Sequence, residues 1–549
     1  MPPLAVTFAG RAVRILSRAL AFGSLLALTV GTGAQGWLSY GADPQHTALS
    51  AVPAQTLHAI RWSAPVDLNP QLRNGSLLIH YGTPLITPGN TVIIPVKTGA
   101  NGGFRVEARQ ARDGALKWAL TSDYRLPPRY NWTPSYGCTL TTSNLFYAPG
   151  AGGTVYFRTN PDNGSQQSAF PTPRPHSRVP TLNFSGIRPP RPYLTGQLAF
   201  YGIAAYRADQ QAFDDNVFIN TPLTADKAGN LYFGFIATAQ APLNLKSGIA
   251  RLAPDGTGTW VAASAAAQDD TMRKVVHNCA PALSPDGKTL YIAVNDTSGI
   301  GEAHGYLLAL DSQTLATVSK VRLKDVKSGN DADPLDDGTA SPTVGPDGDV
   351  YYGVLERPWF TNNLRGWLLH FDSTLAQTKT PGAFGWDDTA SIVPASAVPS
   401  YTGTSSYLLL TKYNNYAGGG DGVNKVAILD PNDSMTDPIS GATVMKEILT
   451  IAGPTPDEEN IDQFPNAVRE WCINTAAIDP FNKCALVNNE DGVLYRWDFA
   501  TNSFTERIVL TSGRFEAYTP TLIGPDGTVY AINDAMLFAV GWSPIARHR

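Results

Sequence analysis

Several features are scarce or missing in this 549-residue sequence, and each absence excludes a class of protein. Charged residues make up only 16% of the chain, and the formal net charge of −5 gives no case for binding nucleic acid, which needs a clustered basic face. Beyond residue 34, no apolar run approaches the roughly twenty residues that span a bilayer. Helical periodicity is also lacking. We therefore expect no nucleic-acid partner, no transmembrane segment and no helical bundle.

Residues that form turns and pleated strands are abundant instead. The chain has 50 glycines and 42 prolines, and aromatic residues reach 10%. Tyr, Phe, Trp, Val and Thr suit half-buried pleated surfaces, while Gly and Pro suit the turns between them. This composition predicts an all-β protein.

The first 34 residues have the pattern of a secretory signal peptide. Arg11, Arg14 and Arg18 precede the apolar run at 19–30, and small residues follow. A basic segment, a short apolar segment and a small-residue site are typical of an exported protein. We expect cleavage near Ala34, a mature domain at 35–549, and a secreted or periplasmic monomer.

Export makes the four cysteines candidates for disulfide formation. Cys472 and Cys484 flank a segment with Asp479-Pro480 near its middle, where a turn would bring two strands together. We expect a disulfide between these two. Cys138 and Cys279 have no comparable local argument, and their pairing stays open.

One short phrase recurs along the chain and indicates a repeat. "SPDGKTLYIAVND" at 284–296 returns as "GPDGDVYYGV" at 345–354 and "GPDGTVYAIND" at 524–534. Looser copies extend the series to eight units that begin near residues 80, 135, 220, 277, 336, 387, 470 and 516. Each unit predicts an inner hairpin followed by outer antiparallel strands, which is a propeller blade. We expect a single β-propeller of eight four-stranded blades. Seven blades stay possible because a Pro-rich insertion at 171–192 follows the second unit.

The last unit ends at "AMLFAVGW", short of a fourth strand, while "AIRWSAPV" at 59–66 has no partner nearby in sequence. Pairing the two would close the ring and remove exposed strand edges. We expect the N-terminal strand to complete the last blade.

The segment "WLSYGADPQHTALS" at 37–50, followed by "LHAIRWSAPV", resembles the entry segment of the quinoprotein (PQQ-like) β-propellers. The repeated "PDGxVY" motif is also similar to the repeats of those proteins. The resemblance covers nearly the whole mature chain. It implies the propeller fold, but that superfamily includes quinone-dependent alcohol and sugar dehydrogenases and also non-enzymatic scaffolds of envelope assembly. The fold therefore does not decide the function.

Residues just before each innermost strand should surround one mouth of the central channel. These positions are polar or ionisable in nearly every unit, which favours a ligand-binding mouth over a merely solvated rim. The candidate ligand-binding residues are His80, Tyr81, Tyr136, Asn220, His277, Asn278, Asp337, Asp388, Arg469, Glu470 and Glu516.

Three functions are compatible with these residues. The resemblance implies, for a quinone dehydrogenase, a calcium ion held by carboxylate and amide oxygens, a Trp platform such as Trp386 or Trp471, and in many members adjacent cysteines, which this chain lacks. PQQ is therefore not favoured. A polysaccharide lyase would use His or Tyr as base and Arg469 to neutralise a uronate. Binding of a small molecule, glycan or protein at the mouth, or on the loop at 413–425, is the function we favour.

Calcium is a further possibility at the acidic loop "NDADPLDDG". Asp331, Asp333, Asp336 and Asp337 supply enough oxygen atoms, although the full EF-hand pattern is missing. For Asp331 and Asp333, a solvated acidic loop is the favoured interpretation.

Overall fold

The computed structural model describes residues 36–73, 76–164, 193–297, 303–471, 473, 475–513 and 520–542. The predicted leader and most of the Pro-rich insertion lie outside these ranges. Within them, eight antiparallel sheets follow one another along the chain and form a ring. The predicted all-β propeller with eight blades is confirmed.

The strands group into blades in chain order. Blade 1 contains Leu85–Ile86, Thr91–Gly99, Gly102–Gln110 and Leu116–Ser122, and blade 2 contains Thr139–Leu140, Leu145–Pro149, Thr154–Thr159 and Thr195–Ala199. Blade 3 contains Val217–Ile219, Thr224–Ala225, Leu231–Ala237, Gly248–Leu252 and Gly258–Ala262. Blade 4 contains Lys274–Val275, Ala282–Leu283, Thr289–Asn295, Gly305–Asp311 and Thr317–Arg322.

Blade 5 contains Thr343–Val344, Val350–Val354 and Trp367–Phe371, and isolated bridges from Leu368 to Gly382 and from Phe371 to Thr378 stand in for its fourth strand. Blade 6 contains Ser391–Pro394, Tyr407–Tyr413, Lys425–Thr436 and Thr443–Ala452, and blade 7 contains Ala477–Asp479, Cys484–Asn488, Val493–Asp498 and Ser503–Val509. Blade 8 contains Leu522–Ile523, Val529–Asn533 and Met536–Gly541 together with Ala59–Pro65. A separate small hairpin pairs Leu72–Arg73 with Ser76–Leu77.

The recurrent Pro-Asp-Gly phrase forms the turn between the innermost two-residue strand that precedes it and the longer strand that follows, as between Ala282–Leu283 and Thr289–Asn295. In blades 4, 5 and 8 its glycine has a positive φ, at Gly287 (+73°), Gly348 (+92°) and Gly527 (+80°). Glycine adopts this conformation without strain. The preceding Asp accepts a hydrogen bond from the amide two residues on, as Asp286 does from Lys288 at 3.1 Å. The phrase recurs because each copy satisfies the same turn geometry.

The N-terminal strand closes the ring as expected. Ala59–Pro65 pairs antiparallel with Met536–Gly541, from Ala59 opposite Gly541 to Pro65 opposite Met536. The last blade therefore takes its outer strand from the opposite end of the described chain.

Residues 37–50 form a segment along the inner strands that the sequence did not reveal, and we call it the inner segment. Its carbonyls accept hydrogen bonds from inner-strand amides of six blades, donated by Ile86 (2.8 Å), Leu140 (2.7 Å), Leu283 (2.8 Å), Val344 (2.9 Å), Ile392 (2.9 Å) and Ile478 (2.9 Å). An innermost strand otherwise presents an unpaired edge to the channel. The inner segment covers that edge near the turns that end the inner strands, which we call the turn end of the channel. The opposite end, where those strands begin, is the entry end.

Two local features add to the sequence-based description. Three short helices are present, Ile203–Ala208, Gln210–Asn216 and Ala263–Ala267, and their five to seven residues are too few for a periodic pattern to stand out. The loop at 413–425 is anchored at its start. Tyr413 and Asn414 are 2% and 0% exposed, and the Asn415 amide donates to Asn424 at 2.8 Å.

No helix in the described ranges is long and apolar enough to cross a membrane.

Candidate functional site

Most of the predicted mouth residues lie inside the protein. His80, His277, Asn278 and Asp388 are each 1% exposed, and Asn220 is 2% exposed. Asp337 is only partly buried. The entry end is therefore neither a solvated rim nor an open bowl at these positions. Its chemistry depends on buried polar groups and their partners.

Asn278 connects four blades at the entry end. Its Nδ2 lies 3.4 Å from Nδ1 of His80 and donates to the Gly338 carbonyl at 3.1 Å. Its Oδ1 accepts from the Ser135 amide at 2.9 Å. A positive φ of 59° at Asn278, a conformation that Asn tolerates better than most residues, orients the side chain toward these partners. Trp132 stacks on the His80 ring with 5.3 Å between centroids.

A buried ion pair lies beneath the Asn220 and His277 positions. The Lys274 ammonium contacts Asp336 at 2.5 Å and Asn295 Oδ1 at 3.1 Å. Asp336 also accepts the His277 amide at 3.0 Å. Burial raises the pKa of Asp336, but the Lys274 cation and the His277 interactions outweigh it, so that the pKa stays below its ordinary value. Asp336 therefore remains ionised and fixes the backbone at His277.

Asp387 and Asp388 form a second charged group with Lys412. Asp387 accepts the amide and hydroxyl of Thr339 at 2.7 and 2.8 Å and lies 3.6 Å from the Lys412 ammonium. Asp388 accepts from the Thr411 hydroxyl. Burial raises the pKa of Asp388 to about 7, with the Lys412 charge opposing that rise. One lysine thus serves two adjacent carboxyl groups.

Tyr40 of the inner segment contacts residues next to Asp387 and Asp388. Its hydroxyl lies 2.9 Å from Oγ1 of Thr389 and donates to the Thr339 carbonyl at 3.2 Å. Its ring meets His46 edge-on at 5.2 Å. Tyr40 therefore links the inner segment to the entry end.

Three neighbouring blades place buried polar atoms at the entry end without hydrogen-bond partners in the described ranges. These atoms are Oδ1 of Asn220, Nδ1 and Nε2 of His277, and Oδ1 of Asp337. The Asn278 amide donates to the Asn220 carbonyl at 3.0 Å, which brings the loops that carry these residues together. Buried polar groups are nearly always hydrogen-bonded in native proteins, so a group of unpaired ones requires an explanation.

Both entry-end histidines are neutral at physiological pH. Burial lowers the pKa of His80 to about 4 and that of His277 to about 4, although nearby carboxylates act in the opposite direction. A neutral imidazole offers one donor and one acceptor.

Tyr81 and Tyr136 occupy different environments from the other predicted residues. Tyr81 donates to Asp67 at 3.2 Å, and Asp67 is paired with Lys97 at 3.0 Å. Tyr136 donates to the Pro149 carbonyl at 3.0 Å and stacks on Phe104 at 4.9 Å. Both rings pack within blades 1 and 2, because successive side chains of an extended segment point to opposite sides.

Arg469 and Glu470 belong to an acidic group beside blade 7. Arg469 lies 3.7 Å from Asp457 and 3.4 Å from Glu459, and the Glu470 amide donates to Glu490 at 3.2 Å. Burial raises the pKa of Glu490 to about 7 despite the Arg469 charge. Glu516 lies outside the described residues.

The four aspartates of the 330–338 loop do not share one site. Asp331 pairs with Arg322 and Lys324, and Asp336 pairs with Lys274. Asp333 is 0% exposed, so the solvated interpretation was wrong for it. Asp337 accepts from Asn131 at 3.1 Å. The side chains of these four aspartates therefore point toward four different sets of partners and do not converge on one ion.

The residues present do not fit a calcium–quinone centre. Calcium takes six to eight oxygen ligands, but Lys412 already supplies the positive charge at Asp387 and Asp388. Within the described residues, no three His, Cys, Asp or Glu side chains are placed to hold a metal ion. Trp471 is 0% exposed and packs against Tyr495 at 6.0 Å, so it is a core residue of blade 7 and offers no open platform.

The predicted disulfide is not found. Cys484 is a free buried thiol, and its sulfur accepts a hydrogen bond from Arg496 at 3.0 Å. The hairpin places Cys484 opposite Asp479, because the turn follows Asp479 directly and shifts the register away from the expected pairing. Cys472 lies outside the described residues. Cys138 and Cys279 are also free and buried.

Comparisons with known proteins support the fold of this chain and give no information on its activity. No protein-family model matches the chain, and no curated protein matches its sequence. A europium-containing methanol dehydrogenase superposes with a TM-score of 0.51 at 10% identity, covering 91% of this chain and 89% of that one. The predicted resemblance to quinoprotein-like propellers is thus confirmed for the fold.

Two further structures superpose less well. BamB from Moraxella catarrhalis gives a TM-score of 0.42 at 12% identity, covering 88% of this chain and 99% of that one. A quinohemoprotein alcohol dehydrogenase from Comamonas testosteroni gives 0.48 at 12% identity, covering 92% and 77%. At such identities a shared fold carries no activity with it.

Proposed function

We propose that this chain is a non-catalytic binding propeller that holds a small polar ligand at the entry end, between blades 3, 4 and 5. The observation that carries the proposal is the group of unpaired buried atoms on Asn220, His277 and Asp337, taken over the described residues. Leaving such an atom without a partner costs about 1–3 kcal/mol. A ligand that pairs with several of them recovers that free energy on binding.

The chemistry of these atoms restricts the ligand. Oδ1 of Asn220 and Oδ1 of Asp337 are acceptors, and neutral His277 adds one acceptor and one donor. A matching ligand must therefore donate more hydrogen bonds than it accepts at this site. Polyols, sugars and primary amines meet that requirement. Ordered water also meets it and is the alternative that the experiment must separate.

Binding is favoured over the two enzymatic functions. A uronate-acting lyase needs an uncommitted cation next to its base, but Arg469 faces Asp457 and Glu459. A quinone dehydrogenase needs the metal cage that the Asp387–Lys412 arrangement does not fit. The burial of His80 and His277 further favours a retained ligand over a rapidly exchanging substrate.

We place this protein outside the cytoplasm, as a secreted or periplasmic protein whose leader ends near Ala34. The support is the arrangement of Arg11, Arg14 and Arg18 before the apolar run at 19–30. N-terminal sequencing of the protein recovered from an expressing bacterium tests this. A mature chain that retains Met1 would contradict it.

The binding proposal is tested by thermal shift against panels of sugars, polyols, amino acids and amines, followed by calorimetry on any hit. We expect one class to raise the melting temperature. His277→Ala and the milder Asp337→Asn should each weaken binding at least tenfold. His58→Ala is the matched control, since His58 is exposed. A panel without any hit, or variants that bind like the unmodified chain, would overturn the proposal.

A further inference from the structure

A cavity of about 510 Å³ opens beside blades 4 and 5. It is lined by His304, Asn330, Asp331, Arg357, Pro358 and Trp359. None of these residues belongs to the entry-end group around His277. Its volume lies within the range of about 300–1,000 Å³ that is usual for small-molecule sites.

Two consecutive aromatic residues, Trp359 in the cavity lining and its neighbour Phe360, are exposed on this loop. Trp359 is 42% exposed and Phe360 is 59% exposed. Large aromatic side chains are normally buried, and exposed ones concentrate at binding surfaces. The Arg357 guanidinium lies 5.6 Å from the Trp359 ring centroid, near the outer limit of a cation–π contact, and the indole keeps an accessible surface.

The loop that carries Trp359 is held rigidly from inside. The Glu356 side chain, 0% exposed, accepts hydrogen bonds from the backbone amides of Asn362 (3.3 Å), Leu364 (2.7 Å) and Gly366 (2.7 Å). Arg365, also 0% exposed, binds Asp437 at 2.6 Å. A loop fixed in this way loses little entropy when it binds a ligand. The exposed aromatic residues are therefore held in fixed positions by a rigid loop.

The neighbouring loop adds further support from its own side. Asp325 accepts the Arg357 amide at 3.1 Å, and the Ser328 hydroxyl donates to the Arg357 carbonyl. The Lys327 ammonium contacts the Thr361 carbonyl at 3.4 Å. The two walls of the cavity are therefore tied together.

The charges around the cavity are largely balanced. Asp331 is bound by Arg322 at 2.9 Å and by Lys324 at 2.7 Å. His304 lies 2.9 Å from Asp296. The lining therefore presents planar polar groups, imidazole, amide, carboxylate and the Arg357 guanidinium, around an aromatic surface.

A buried carboxyl group, that of Asp333, helps to hold the cavity lining in place. Asp333 is 0% exposed, and its Oδ1 accepts the Ala303 amide at 2.8 Å. Burial raises the pKa of Asp333 to about 7, while Arg357, a hydrogen bond from Trp359 and His304 oppose that rise. The carboxyl group therefore adjoins the cavity lining.

We propose that this cavity binds a saccharide, with one sugar ring stacked on Trp359 and its hydroxyls bound by Asn330, Asp331 and His304. A sugar ring has an apolar C–H face that suits the indole and a rim of hydroxyls that suits planar polar side chains. The site is separate from the entry-end site, so either can fail without the other.

The test is calorimetry with soluble hexasaccharides of glucose, xylose, mannose and galacturonate. We expect at least one to bind with a dissociation constant between about 10 μM and 1 mM, and Trp359→Ala to weaken it at least tenfold. Asn330→Ala should weaken it less. Since Trp359 is 42% exposed, the melting temperature should stay within a few degrees, which shows that the variant is folded.

Two controls separate this site from other possibilities. Trp542→Ala removes another exposed tryptophan, 58% exposed, and should bind like the unmodified chain. Lys288→Ala, at a lysine whose side chain is 82% exposed and which lines neither site, should also leave saccharide affinity unchanged. Absence of binding by all four hexasaccharides, or equal affinity of the Trp359→Ala variant, would overturn the proposal.

Discussion

The two ends of the propeller channel are built on the same inner strands but satisfy their polar groups differently. At the turn end, six inner-strand amides donate to carbonyls of residues 37–48 at 2.7–2.9 Å. At the entry end, side chains and not backbone carbonyls are the partners of the buried polar groups. There Lys274 and Lys412 offset buried carboxylates, while atoms of Asn220, His277 and Asp337 stay unpaired in the described structure.

This difference reflects how each end is made. Inner strands repeat from blade to blade, so a single extended segment can meet their regularly placed amides in turn. The loops that enter the strands do not repeat, and each brings its own side chains. The regularly placed strand amides are paired by backbone carbonyls, whereas the irregular entry loops depend on side chains, some of whose atoms stay unpaired in the described structure.

Removing the inner segment should have the largest effect. A chain starting at residue 51 leaves six strand amides without their partners, at about 1–3 kcal/mol each. That sum is comparable to the whole stability of about 5–15 kcal/mol of a typical protein. We expect calorimetry to show no cooperative transition, while a chain starting at residue 35 melts normally. Equal melting of the two chains would refute the role given to this segment.

Lys274→Met should destabilise the entry end strongly but less than that deletion. It leaves Asp336, now 2.5 Å from the ammonium, buried without a cation, which costs about 3–5 kcal/mol. Urea denaturation measures the loss. Adding Asp336→Asn should recover part of it, because the uncompensated charge is removed. Lys288→Met is the control, since Lys288 is 82% exposed. A loss no larger than that of the control would contradict the account.

The pH dependence of His277→Gln should show a smaller effect. Burial lowers the pKa of His277 to about 4 in the folded state, against about 6.5 when unfolded. Between these values the unfolded chain binds the extra proton, so this histidine reduces stability as pH falls. Relative to the variant, the free energy of unfolding of the unmodified chain should fall by about 1 kcal/mol for each pH unit between pH 6.5 and 4. Urea denaturation at pH 7.5, 5.5 and 4.5 measures it, with exposed His58→Gln as control. A difference that stays constant with pH would mean that His277 is not buried as described.

Much of the fold can be predicted because its determinants are local. The Pro-Asp-Gly turn fixes a hairpin within a few residues, and Gly287 and Gly527 adopt the positive φ that such a turn requires. The incomplete last unit points to the closing strand, which pairs as expected. The inner segment escapes prediction because its hydrogen bonds are made by carbonyls, which leave no signal in side chains.

The site can be predicted only in part. His80 and Asn278, 198 positions apart, do meet, since both precede inner strands. Lys274 and Lys412 escape prediction because an ordinary strand lysine shows no sign of burial until its partner is placed. The position of Tyr136 just before an inner strand predicts that it lies at the mouth. In an extended chain, however, a shift of one residue moves a side chain to the opposite face, so the same position is compatible with the core. The register at Cys484 likewise depends on where the turn begins.

A crystal structure of the protein purified from its native secretion route, at a resolution that shows ordered water, tests the central claim most directly. We expect continuous density larger than a water molecule that bridges His277 to Asn220 or Asp337, at hydrogen-bond distance from their atoms that lack partners within the described residues. Isolated waters on each of these atoms, or side chains turned to pair with one another, would contradict it.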